Sequence, residues 1–219
     1  MPSTDFAAAR HLMVESQIKP NGVTDAAVLA ALASTPREDF VPKGVRAIAY
    51  VDEDVAVGGG RFLMEPRVFA KLLQAAEVEA HELVLDIACG TGYSTAVLAR
   101  LAASVVAVES DADLVATATA KLAGIGATNA TVVAGDPRLG HPDQGPYDVI
   151  VIEGAVEQVP QALLDQLADD GRLLAVVRTR RQGVATLFER TAGVIGHRPL
   201  FDAGVPLLAG FELEPGFSF

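Results

Sequence analysis

The residues best suited to chemistry in this chain lie in Leu85-Asp86-Ile87-Ala88-Cys89-Gly90-Thr91-Gly92-Tyr93. The segment reads as the end of an apolar strand, a tight turn of small residues and the start of a helix. Such a turn lets a ligand approach the backbone, and the helix N-terminus offers unsatisfied N–H groups. Two further acids extend the pattern. Glu109 ends the next apolar run, 17 residues after Gly92, with Ser110 behind it. Open α/β sheets place an acid there to accept hydrogen bonds from a ribose diol. Gly135-Asp136 ends the run after that, where Asp136 can accept from an adenine amine. Strand ends line one rim of such a sheet, so Asp86, Glu109 and Asp136 are expected in one crevice.

These acids discriminate between cofactors. A dinucleotide brings a pyrophosphate, and its fingerprint wants a third glycine at the helix start. Here the register Gly90-x-Gly92-x-x-Thr95 ends in threonine, and three carboxylates make a poor pyrophosphate site. An NAD-dependent oxidoreductase is therefore disfavoured. S-adenosylmethionine, with a sulfonium, an ammonium, a ribose diol and no phosphate, matches better.

The elements that must hold these residues fall into two parts. Residues 1–80 form an N-terminal region of short helices and Gly/Pro-rich loops, expected to pack on the second part and form the substrate side. Thr24 reads as an N-cap before a helix over 26–33, Gly58-Gly59-Gly60 as a loop, and Pro66 as the first residue of a helix with one apolar face. Residues 81–219 alternate strand and helix. Strands are expected at 83–88, 104–108, 131–134, 147–152 and 172–177, and helices at 91–101, 111–122 and 160–167. Asp169-Asp170-Gly171 reads as a turn. The strands are near-continuous runs of Val, Ile, Leu and Ala, the pattern of parallel strands covered on both faces. The result is an α/β, doubly wound, mostly parallel sheet. Only six residues separate Val177 from Val184, too few for a helical crossover, so the tail is expected to add antiparallel strands at one edge.

Composition sets the outer limits. The 219 residues carry 17 Lys plus Arg against 28 Asp plus Glu, a net charge of −11. That field repels nucleic-acid backbones and anionic membranes, so neither is an expected partner. The one cysteine, Cys89, excludes an intramolecular disulfide and a multi-cysteine zinc site, and no metal is expected. It reads as a small buried thiol. Met1 to Arg10 lacks the apolar core of a signal peptide, and no uncharged apolar run reaches about 18 residues. A cytoplasmic location is the expectation. Arg178-Thr179-Arg180-Arg181 is the one basic cluster and reads as a solvated hairpin turn rather than an RNA contact.

With these residues placed, the chain resembles the protein-L-isoaspartate O-methyltransferase family of class I methyltransferases. Pro36-Arg37-Glu38-Asp39-Phe40-Val41-Pro42 matches that family's P-R-E-x-F-V-P signature. Met13 to Ile18 is similar to its opening helix, Ala49-Tyr50-Val51-Asp52 to its A-Y-x-D, and Val84 to Ala99 to its cofactor motif. Tyr147-Asp148-Val149-Ile150 and Val159-Pro160 match the next strand and helix start. The resemblance implies a seven-stranded Rossmann-like sheet with an added N-terminal region, and S-adenosylmethionine as cofactor. It implies cofactor contacts at Asp86, Gly90, Gly92, Glu109 and Asp136, and the wider expected cofactor-facing set adds Ala88, Cys89, Tyr93, Ser110 and Gly135. The methyl acceptor is expected to be a protein, a peptide or a small molecule, and nothing in the sequence fixes an oligomeric state.

Three departures from the family matter. Ala88 replaces the first glycine of the cofactor motif, a mild change. The family's substrate loop, G-Q-T-I-S-Q-P, stands here as Gly60-Arg61-Phe62-Leu63-Met64-Glu65-Pro66, so its functional serine falls on Met64 and the glutamine after it on Glu65. An isoaspartyl carboxylate is ionised near pH 7 and needs a positioning donor, which methionine cannot supply. Weak or absent isoaspartyl methylation is therefore expected. Met64, Glu65 and Glu153 are the substrate-facing candidates. Either Glu65 serves a cationic or neutral nucleophile, or it is a helix N-terminal acid while Met64 packs in the core. A non-catalytic protein that binds S-adenosylmethionine or S-adenosylhomocysteine and acts through partners is the alternative reading.

Overall fold

Aspartates open the first helices. In the computed structural model, which describes residues 5–179 and 182–213, the Asp5 carboxylate accepts from the Ala8 N–H at the start of α1 (Phe6–Leu12). The chain continues through a π-helical turn, Met13–Ile18, to α2 (Ala26–Ser34). The N-cap of α2 is Asp25 and not the expected Thr24: Asp25 Oδ1 accepts from the Val28 N–H at 2.8 Å. The Thr24 N–H is drawn instead to Gln74 Oε1, 50 residues away, at 2.6 Å.

The glycine run is the tight turn expected, but it joins two short strands that the sequence did not show. Gly58-Gly59-Gly60 turns a hairpin between β1 (Val55–Gly58) and β2 (Arg61–Leu63), with positive φ at all three glycines. A Cβ on Gly59 would meet Asp111 Oδ2 and Leu114 Cδ1 at 2.8 Å, so the tip lies against the helix that begins after Asp111. Then α3 (Pro66–Ala76) starts on Pro66 as expected and buries Val68, Phe69, Leu72, Leu73 and Ala76.

The remaining elements alternate: β3 (Leu83–Ile87), α4 (Tyr93–Leu98), β4 (Ser104–Glu109), α5 (Ala112–Gly124), β5 (Ala130–Ala134), β6 (Tyr147–Val156), α6 (Gln161–Leu164), β7 (Leu167–Arg178), β8 (Gly183–Thr191) and β9 (Val194–Asp202). One seven-stranded sheet has the order β5-β4-β3-β6-β7-β8-β9. Strands β3 to β7 pair in parallel, while β8 and β9 add antiparallel at the edge, as the short connection after Val177 requires. The helix expected over 160–167 is cut short at Leu164 because Leu167 already pairs with Tyr147. The expected Asp169-Asp170-Gly171 turn is absorbed into β7 as a bulge, with Asp170 at φ 62°. Arg178 ends β7, and the Thr179 N–H meets the Gln182 carbonyl in the turn that follows. Arg180 and Arg181 lie outside the described residues. Among the described residues, no helix is long and apolar enough to cross a membrane.

One face of the sheet shares its core with the N-terminal region. Val84, Val149, Val151 and Leu174 pack in a cluster with Met13, Phe40, Met64, Phe69 and Tyr93. Arg37 sits within it, fully buried. Its Nε donates to the Ala49 carbonyl and its Nη2 to the Met64 carbonyl, each at 2.7 Å, and its guanidinium lies 4.9 Å from the Tyr93 ring centre. At the far end of α3, Glu77 closes the helix in the left-handed region. The Arg172 guanidinium of β7 receives the last carbonyls there, donating to Ala76 and Glu77, and also pairs with Glu82 at 2.7 Å.

The two short bonds from Arg37 fix the loop before β1 to the end of β2. Arg37→Ala should lower the unfolding free energy by about 3 kcal/mol or more, since each hydrogen bond from a buried charged donor is worth roughly 1.5–3 kcal/mol. Arg37→Lys should recover less than half, because a compact ammonium lacks the planar fork. Urea unfolding of the three proteins measures both effects.

Candidate functional site

The turn after β3 is built on backbone conformations that favour small residues. Ala88, Gly90 and Gly92 have φ of 62°, 56° and 88°, and the Ala88 N–H donates to the Val108 carbonyl at 2.9 Å. A Cβ on Gly92 would stand 3.1 Å from Ala118 Cβ and 3.3 Å from its Cα, so α5 packs directly on the turn. These glycines delay the helix: α4 begins at Tyr93 and ends at Leu98, shorter than the expected 91–101. The N-terminal region closes over the turn. Thr91 Oγ1 donates to the Phe40 carbonyl at 2.6 Å, and Phe40 and Phe69 meet the Tyr93 ring at 5.7 and 5.8 Å.

Each expected carboxylate has a distinct environment. Asp86 is fully buried; its Oδ2 accepts from Ser94 and Thr95 hydroxyls at 2.8 and 2.6 Å, and its Oδ1 has no partner. Burial pushes its pKa up to about 6 against the pull of those hydroxyls, and the Glu109 charge adds to the rise. Glu153, beyond Val151 and Ile152 on the neighbouring strand, is also buried, and its Oε1 has no partner. Strand alternation carries Glu153 to the face of Val149 and Val151, the same face as Asp86. Burial raises its pKa well above the usual carboxylate range, Asp86 adds to the rise, and Arg37 opposes it.

Glu109 is the opposite case. Burial alone would raise its pKa, but the Arg61 guanidinium and the backbone N–H groups of Asp111 and Gly90 outweigh burial and hold it below the usual value. Arg61 and Glu109 form a two-pronged pair at 2.9 and 3.0 Å, and both side chains are buried. Asp136 is partly exposed and paired with Arg138 at 2.7 Å; that contact lowers its pKa against a small effect of burial.

The expected residues thus come together in part. Ser110, Gly135 and Asp136 line a cavity of about 480 Å³ with Arg61, Arg138 and Phe211. Asp86 and Glu153 sit deeper, at adjacent strand ends. Cys89 is buried beside them, and burial followed by the charges of Asp86 and Glu109 pushes its thiol pKa well up, so it is a poor nucleophile. Among the described residues, no group of three or more His, Cys, Asp or Glu is arranged to hold a metal.

On the substrate-facing side, Met64 is buried in the core. Glu65 is the N-cap position of α3 but caps nothing with its side chain, which pairs with Arg67 at 2.8 Å. Its backbone N–H donates to Asp54, whose pKa burial and the Glu65 charge raise to about 6 against that bond and the Arg37 charge. Asp54 lines a second cavity, of about 560 Å³, with Arg178, Asp202 and the chain from Ala203 to Pro206.

Sequence reasoning missed the cations. Arg61 and Arg138 each occupy a carboxylate expected to be free, and Ser94 with Thr95 holds Asp86. One signal was available for Arg61: it is the first departure within the G-Q-T-I-S-Q-P loop, a cation where the family has glutamine.

The comparisons with known proteins agree with one another. The model of the family described as protein-L-isoaspartate(D-aspartate) O-methyltransferase (PCMT) matches residues 8–202. A protein-L-isoaspartate O-methyltransferase of Methanoculleus marisnigri is 41% identical over 186 residues, 84% of this chain and 84% of that one. A solved protein-L-isoaspartate O-methyltransferase superposes with a TM-score of 0.78 at 25% identity, covering 93% of this chain; this chain spans 65% of that one. A Plasmodium falciparum structure described as a protein-L-isoaspartate O-methyltransferase in complex with S-adenosyl-L-homocysteine superposes with a TM-score of 0.76 at 19% identity, covering 91% of this chain and 96% of that chain.

The buried Glu153 makes stability pH-dependent in a definite direction. Its folded pKa lies above the unfolded value of about 4.3, so its contribution is fully present below that pH and is lost as pH rises toward the folded pKa. Glu153→Gln removes the titration. The melting temperature of the variant minus that of the wild type should therefore increase between pH 4.5 and pH 8. Scanning calorimetry showing a constant or falling difference contradicts the assignment.

Proposed function

Because this chain belongs to the protein-L-isoaspartate(D-aspartate) O-methyltransferase family, a family of S-adenosylmethionine-dependent methyltransferases, we propose that it transfers methyl from S-adenosylmethionine to an acceptor other than the isoaspartyl carboxylate. The buried residues fit the cofactor. Asp86 Oδ1 and Glu153 Oε1 are unpartnered carboxyl oxygens on one face, matched to a positively charged group. Gly90 adopts a left-handed φ of 56°, and at Gly92 a Cβ would crowd Ala118 at 3.1 Å, so the turn favours a bare backbone at both positions. When bound, S-adenosylmethionine supplies an electrophilic methyl on a sulfonium.

The remaining work falls to this chain. Asp86 and Glu153 would hold the cationic end, Ser110, Gly135 and Asp136 the adenosine end, and Glu109 the ribose. Cys89, Ala88 and Tyr93 shape the turn, with Tyr93 bridging it to Phe40 and Phe69. Methyl transfer to a carboxylate needs alignment, water exclusion and a donor on the nucleophile. The observation that carries the change of acceptor is Met64: its side chain is buried in the core and has no donor, at the position of the family's serine. Asp54 and Asp202 line the neighbouring cavity against one arginine there, Arg178, which suits a neutral or cationic nucleophile on a protein, a peptide or a small molecule. A second reading, a non-catalytic binder of the adenosyl ligand, draws support from the same Met64.

An isoaspartyl-peptide assay that counts base-labile methyl esters tests the proposal. The wild type should stay close to background. Met64→Ser with Glu65→Gln should raise the rate by roughly tenfold or more, the worth of one hydrogen bond to a charged group. A wild-type rate that matches the Methanoculleus marisnigri relative overturns the change of acceptor. Tritium transfer from S-adenosylmethionine to amine-bearing and hydroxyl-bearing peptides separates the enzyme from the binder.

A further inference from the structure

Glu109 has no capacity left for a ribose. Its Oε2 accepts from Arg61 Nε at 2.9 Å and from the Gly90 N–H at 3.0 Å. Its Oε1 accepts from Arg61 Nη2 at 3.0 Å, from the Ser110 N–H at 2.7 Å and from the Asp111 N–H at 3.0 Å. The Ser110 hydroxyl also reaches Oε1, at 3.3 Å. A carboxylate offers about four lone-pair sites, so these six donors saturate it. The Arg61 guanidinium also reaches Ser110 Oγ at 3.1 Å. It therefore stands on the acceptor a ribose diol would use and on the hydroxyl beside it.

Arg61 is not an isolated surface side chain. It opens β2, whose chain runs through Leu63 directly into Met64 and Glu65. Three glycines with positive φ precede it, and their tip lies against Asp111 and Leu114. The pair with Glu109 thus fixes the strand leading to the acceptor wall onto the rim of the main sheet. Removing the guanidinium does not leave Glu109 bare, because three backbone N–H donors remain. Arg61 also has open volume beside it, the cavity of about 480 Å³ that Asp136 lines.

We propose that Arg61 is a positioning residue that competes with the ribose for Glu109, so that binding of the adenosyl cofactor releases the strand carrying Met64 and Glu65. The proposal rests on the cofactor reading above. It makes the two halves of the site interdependent: the acceptor wall takes its working position only after the ribose hydroxyls replace the guanidinium. The order of binding follows, cofactor before acceptor. Methyl transfer itself involves no bond to Arg61.

Calorimetric titration with S-adenosylhomocysteine tests the competition. Wild-type affinity is reduced by the fraction of molecules in which Glu109 is free, so Arg61→Ala and Arg61→Gln should bind about tenfold tighter or more. Arg61→Lys, which keeps the charge but lacks the fork, should fall between them and the wild type. A merely structural arginine moves the affinity the other way. Hydrogen exchange supplies a second readout: S-adenosylhomocysteine should speed exchange at the amides of residues 61–63 in the wild type. Unchanged or weaker binding by both Arg61→Ala and Arg61→Gln, or slower exchange at 61–63 on binding, overturns the proposal. If the wild type and all three variants bind no S-adenosylhomocysteine, the cofactor reading fails, and this proposal with it.

Discussion

A buried charge must be answered from every side, and the rim of this sheet is organised around that requirement at Glu109. One carboxylate collects the hairpin through Arg61, the glycine turn through Gly90, and the start of α5 through Ser110 and Asp111. These segments are far apart in the chain, and one buried cluster adds apolar contacts among the hairpin, α4 and α5 through Val57, Tyr93 and Leu122. A buried charge is costly unless it is paired and hydrogen-bonded, so donors from all of these segments are drawn to it and the hub determines where its neighbours sit. Conformations of the glycine turn and the hairpin are coupled through it.

Asp86 and Glu153 show the reverse economy. Both are buried, and each keeps an oxygen without a partner; burial raises both pKa values, with Glu109 adding to the rise at Asp86 and Asp86 to the rise at Glu153. A fold selected for stability alone would place apolar side chains at these strand ends, as it does at Val84, Val149 and Val151. Unrelieved buried acids cluster where a ligand supplies the missing charge.

The alternation of strands and helices, the antiparallel edge and the glycine turn were legible because they are written in local periodicity and spacing. So was Pro66 at the start of α3. What escaped was decided by long-range contacts. Thr24 and Asp25 are both good caps on local grounds; Gln74 holds both of their amides, and it is the Asp25 carboxylate that reaches the Val28 N–H. Strands of four and three residues around three glycines leave no measurable alternation, so β1 and β2 read as loop. Asp169-Asp170-Gly171 has the composition of a turn, but Leu167 already pairs with Tyr147 before it, so it bulges out within β7 and the ladder resumes at Arg172. At the site the acids were visible from their positions at strand ends. The arginine that occupies one of them was not, because Arg61 and Glu109 are 48 residues apart and only the folded hairpin brings them together.

The contacts of Arg172 have a consequence for the order in which this molecule is made. The last carbonyls of α3 and the carboxylate of Glu82 receive a guanidinium 90 or more residues further along the chain. On a ribosome adding about 5–20 residues each second, those groups wait many seconds for their partner. During that interval the C-terminal end of α3 has no guanidinium to meet, and Val149, Val151 and Leu174, which share a core with the N-terminal region, are still arriving. The first third of the chain is therefore closed at that end only by a residue made much later, once Arg172 has left the exit tunnel.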